Sequence, residues 1–200
     1  MKTKKKISII AITSLIVIIA GCIIGYFGYG STMINPDNEQ SIINFLSTDK
    51  DKPIEILATK KYEDRFLILY IDPIKVVENK NSYCFSTFVK NKYYRSRYNA
   101  SSLSTGDGTE IQVSSTELED MYSEKDTRAF AIANVASEET KCSVFEVNIE
   151  TFRYESRLDV IDVPQNQPYI IVKEYKLKNK DNIIVAFDGD VSLNHLNAEY

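Results

Sequence analysis

The chain has 200 residues and a formal charge of −4, which fits one folded domain with appendages and argues against a multidomain enzyme. One histidine, three cysteines, seven glycines and no tryptophan leave little for chemistries built on histidine clusters, thiolate clusters or glycine-rich phosphate loops. Of the 24 basic side chains, Lys2, Lys4, Lys5 and Lys6 precede the first acidic residue, Asp37, so residues 31–200 carry the remaining 20 against 28 acidic ones.

Residues 1–6 form a basic leader, and residues 7–29 follow as an apolar run without a charge. At about 1.5 Å per residue this run makes about 34 Å of helix, enough for a hydrocarbon core about 30 Å thick. Lysines on one side only orient it with the amino terminus in the cytoplasm and the rest extracytoplasmic. A second reading stays open. Ile19-Ala20-Gly21-Cys22 resembles the bacterial lipobox, a resemblance that implies cleavage after Gly21 and a lipid on Cys22. The apolar continuation after Cys22 favours the uncleaved anchor. Gly21 and Gly25 also have the small-residue spacing that lets membrane helices approach closely.

Residues 30–52 read as a tether and a short amphipathic helix, with Ile42, Phe45 and Leu46 at helical spacing behind a cap at Asp37 or Asn38. Residues 53–200 read as a β-rich domain. Strands are expected at 54–60 and 65–72, then at 82–90 and 92–98 as a hairpin about Asn91, and at 110–114. Thr116 and Glu119 have capping-box spacing, which predicts a short helix over 117–123. The strand at 128–135 places Phe130 and Ile132 on one face and Ala129, Ala131 and Ala133 on the other, leaving room for something to lie across the alanines. The strand at 143–152 alternates Phe145, Val147 and Ile149 inward with Glu146, Asn148 and Glu150 outward. Residues 169–177 and 182–187 close the domain as a hairpin, and 65–85 and 128–145 are alike enough for a duplicated hairpin. Eight or nine strands and two short helices, too tightly spaced for helical crossovers, give a mainly antiparallel α+β domain behind a transmembrane or lipoprotein-signal helix.

The candidates for chemistry are few. Cys84 and Cys142 fall in the exported part, where a disulfide closing about 58 residues would stabilise by about 4 kcal/mol in the entropic model; otherwise they are two buried thiols. His195 stands without a serine or cysteine motif, and residues 188–199 follow a calcium loop except at Leu193, where the sharp turn needs glycine. Neither a catalytic residue nor a metal or cofactor site is read from the sequence. The most distinctive stretch holds Lys90, Lys92, Tyr93, Tyr94, Arg95, Arg97 and Tyr98. As a strand it would put Tyr93, Arg95 and Arg97 on one face, suited to a wall polymer or lipid head groups, or it would be an edge strand protected by charge. The expected function is a membrane-anchored binding or accessory module of the bacterial cell envelope. Its partners are anionic polymers, head groups or a membrane protein, with no role for nucleic acid. A hydrolase using two carboxylates and an accessory sensory ectodomain are the alternatives.

Overall fold

The computed structural model describes residues 15–25, 28, 32–77, 80–94, 96–105, 114–118, 127–135, 138–179 and 181–198. Residues 15–25 are helical. After a turn comes α1 (Glu39–Leu46), whose N-cap is Asn38: the Asn38 side chain accepts the Ser41 N–H, satisfying one of the free donors of the first turn. Among the described residues ten strands follow: β1 (Glu55–Tyr62), β2 (Arg65–Val77), β3 (Lys80–Lys90), β4 (Tyr98–Thr105), β5 (Ser114–Glu117), β6 (Thr127–Asn134), β7 (Lys141–Asn148), β8 (Arg153–Asp162), β9 (Tyr169–Lys176) and β10 (Ile183–Asp188). A last helix, α2 (Leu193–Ala198), ends the fold. No helix among the described residues is long and apolar enough to cross a membrane.

Every strand pairing is antiparallel, in three sheets ordered β1-β2-β3-β4, β5-β6-β9 and β10-β7-β8. Alternation along each strand decides how the sheets stack. Phe66, Ile68, Tyr70, Cys84 and Phe88 point to the outer face of the first sheet, where Ile42 of α1 and Ile34 cover them. The Phe45 ring meets Phe88 edge-on at 5.8 Å. Leu67, Leu69 and Phe85 point the other way, onto Ala129, Ala131 and Ala133 of β6. What lies across the alanines is therefore the first sheet. The opposite face of β6, Phe130 and Ile132, packs on Cys142, Val144 and Ile161 of the third sheet. Beyond the third sheet, α2 rests against β8, and Phe145, Tyr154 and Phe187 gather on that outer side. The order is helix, sheet, sheet, sheet, helix, with the second sheet buried on both faces.

Several expected elements sit differently. Residues 91–94, 96 and 97 are outside the strands, and β4 starts at Tyr98. β9 and β10 do not pair with each other; β9 joins β6 and β10 joins β7. β6 and β7 lie in different sheets, so the hairpin of β2 and β3 has no duplicate. The proposed helix at 117–123 begins inside β5, and its remainder after Leu118 falls outside the described residues. β7 is buried on both faces as the middle strand of its sheet, which turns Glu146 inward and ends the strand before Ile149.

Candidate functional site

The β3–β4 loop is organised by Asn91. Its buried side-chain oxygen accepts the N–H groups of Tyr93 (2.8 Å) and Tyr94 (3.0 Å), the local turn that asparagine favours. The Asn91 N–H donates to the Arg97 carbonyl at 2.8 Å, and the Arg97 N–H to the Tyr94 carbonyl at 2.9 Å. Lys90 and Lys92 are exposed, Arg97 is half-buried, and the Tyr93 ring is 77% exposed with the Lys92 Nζ 5.0 Å from its centroid. Among the described residues no carboxylate pairs with Lys90, Lys92 or Arg97.

Of the expected set, one residue lies outside the described residues and one is turned inward. Arg95 lies outside the described residues. Tyr98 is core: it is buried against Phe66 with ring centroids 6.1 Å apart, and its backbone exchanges two 3.0 Å hydrogen bonds with Ile34. Asn91 follows β3 with a turn, so Tyr93 and Arg97 sit in a loop and not on one face of a strand. The same bridge brings the start of the folded chain to the loop, a neighbourhood that separation in sequence conceals.

Cys84 and Cys142 are free thiols in different layers, Cys84 outside the first sheet and Cys142 between the second and third. Sheets stack about 10 Å apart, whereas a disulfide needs Cα atoms within about 7 Å, so the expected bridge is not made in this fold. Burial pushes the Cys142 thiol up to about 11, and burial likewise raises the neighbouring Tyr169 hydroxyl. A buried thiol held neutral is a poor nucleophile. Both cysteines are expected to resist a thiol reagent in native protein at pH 8 and to react in denaturant; reaction of either in the folded state would contradict this packing. Cys22 is exposed on its helix.

A carboxylate pair does form, at a place the alternation hid. Glu146 accepts the Lys178 N–H (2.6 Å), the Asn182 Nδ2–H (2.8 Å) and the Ser156 hydroxyl (3.2 Å). The same Asn182 amide donates to Glu155 at 3.2 Å, so the two carboxylates lie within about 6 Å, near the spacing of glycosidase pairs. Glu146 has no exposed surface and its oxygens are occupied by internal donors. Glu146 thereby ties β7 to β8 and to the segment that leads into β10. Arg128 extends the cluster, donating to Glu117 at 3.0 Å and to the Asn182 carbonyl at 2.7 Å. The 178–182 segment is thereby bolted to both the second and third sheets.

The remaining candidates disperse. His195 is exposed on α2, and its N–H donates to the Ser192 carbonyl at 3.1 Å. Asp190 pairs with Arg157 at 2.8 Å rather than closing a calcium loop. Among the described residues no three metal-ligating side chains converge. Asp159 and Lys173, 2.7 Å apart, join the third sheet to the second. Burial raises the Asp159 carboxyl, but Lys173, the Val160 N–H and the Tyr175 hydroxyl outweigh it and hold it below its ordinary value.

A cleft of about 380 Å³ opens at the start of α1, lined by Pro36, Asp37, Glu39, Ile42, Ile56, Thr59 and Phe66. Across the fold, the β7–β8 turn exposes Phe152 (76%) with a left-handed φ of 53°, unusual for a bulky residue. No sequence pattern marked this ring. The geometry is then that of a domain with a basic, aromatic loop at one end and polar clusters turned inward.

No family model, curated protein or solved structure matches the chain.

Proposed function

We propose that the chain is a membrane-anchored, extracytoplasmic binding or accessory protein of the bacterial cell envelope, its amino terminus in the cytoplasm. One observation carries the reading. In the helix at 15–25, Leu15, Ile16, Val17, Ile18, Ile19, Ile23 and Ile24 are all 49–72% exposed, and nothing lies within 4 Å of a side chain placed at Gly21 or Gly25. A helix apolar on all sides needs cover, and none of the described residues of the domain supplies it. The uncharged run 7–29 around it has the length of a span, and the lysines before it set the orientation. The inward use of Glu146 and Glu155 supports binding over carboxylate-dependent hydrolysis. Partners of the matching chemistry are lipid head groups, an anionic wall polymer or a membrane protein.

The alternative anchor is a lipid on Cys22. Intact mass of the membrane-extracted protein separates the two. The uncleaved anchor gives the full 22.8 kDa chain, unchanged in membrane retention after Cys22→Ser. A chain shortened to Cys22 with an added acyl mass, released by Cys22→Ser, establishes the lipoprotein. Loss from membranes in a mild salt wash would overturn both.

A further inference from the structure

We propose that the β3–β4 loop seats on the anionic head groups of the same bilayer that holds the anchor, using Lys90, Lys92, Tyr93 and Arg97. The inference rests on the anchored reading above and names the surface the domain turns toward it. Met33 and Ile34 are buried, and Ile34 is pinned to Tyr98 by two backbone hydrogen bonds, one residue after Arg97. The apolar run ends at Tyr29, and five residues span at most about 18 Å. The loop is therefore held near the membrane by the covalent chain itself.

Charge then selects the orientation. Residues 31–200 carry more acidic than basic groups, so an anionic surface repels the domain as a whole. The loop holds the exposed Lys90 and Lys92 and the half-buried Arg97, none with a carboxylate partner among the described residues, beside an outward tyrosine, the pairing found at membrane interfaces. Each cation near an anionic leaflet adds to the attraction, and salt attenuates it. A wall polymer would meet the same charges, but the short tether brings the loop to the bilayer before anything farther out.

The chain has no tryptophan, so Tyr93→Trp installs a single indole. The full-length variant is reconstituted into phosphatidylcholine vesicles with and without phosphatidylglycerol, using lipids brominated near the head group. With the anionic lipid, the expected result is a blue-shifted emission quenched about twofold, restored by salt and by adding Lys92→Glu and Arg97→Glu. Phe152→Trp, at the exposed turn of the third sheet, is expected to stay unquenched. Quenching of Phe152→Trp alone, of both equally, or of neither in vesicles that retain the chain overturns the proposal and leaves the anchor standing. A response of Tyr93→Trp to a soluble glycerol-phosphate polymer but not to vesicles also overturns it, in favour of the wall. Failure of the chain to float with vesicles removes the anchored reading, and this inference with it.

Discussion

Replacing Glu146 with alanine is expected to lower unfolding stability by about 3 kcal/mol, measured by chemical denaturation with the membrane segment in detergent. The substitution leaves the Lys178 N–H, the Asn182 amide and the Ser156 hydroxyl without the acceptor they now share. Buried donors abandoned in this way cost about 1–3 kcal/mol each before relaxation. Removing a buried carboxylate offsets part of this, because its own desolvation disappears. Glu146→Gln separates the contributions. Its oxygen faces the same two N–H donors and its amide finds the Ser156 oxygen, so a loss below about 1.5 kcal/mol is expected. Equal losses for the two variants would mean that the negative charge, and not the acceptor geometry, holds the 178–182 segment.

The second large effect is expected at Ala131, which has no exposed surface and lies on the face of β6 that meets the first sheet. Ala131→Leu inserts three carbons between two backbones whose separation is set by Leu67, Leu69 and Phe85. Overpacking of this kind costs about 1–3 kcal/mol, and the upper end is expected here because both sheets are fixed by further neighbours. Ala131→Gly, which leaves the spacing intact, should cost only about 1 kcal/mol through strand entropy and a small void. A leucine variant as stable as the parent would show that the two sheets can separate without loss.

The local pattern was readable and the pairing was not. Asn38 as cap, Ile42 on the inner face of α1 and the unbroken run in β2 follow from spacing alone, and the structure has them. The two faces of β6 were equally legible, because alanine and large apolar residues alternate there. Which strand neighbours which depends on contacts far apart in sequence, and adjacency misled: 169–176 and 183–188 look like a hairpin, yet serve different sheets. β8 lacks an apolar alternation because Arg153, Glu155, Arg157 and Asp159 interrupt it; it is an edge strand whose Glu155, Arg157 and Asp159 find partners. Glu146 was placed outward for the opposite reason, since period two cannot tell a half-exposed strand from a central one. At the loop, the residues were found but their arrangement was not, because a single asparagine converts an expected strand into a turn.

The strand order also constrains how the chain can acquire its shape. Among the described strands, β1 to β4 pair with sequence neighbours, so this meander can form as soon as its residues are available. β6 must wait for β9, and β7 for β10, so the other two sheets are interleaved and complete together. Until then Leu67, Leu69 and Phe85 lack the layer that covers them. A chain delivered progressively from its amino-terminal end would therefore pass through a half-built stage with a greasy underside, the stage most open to aggregation or to rescue by a chaperone.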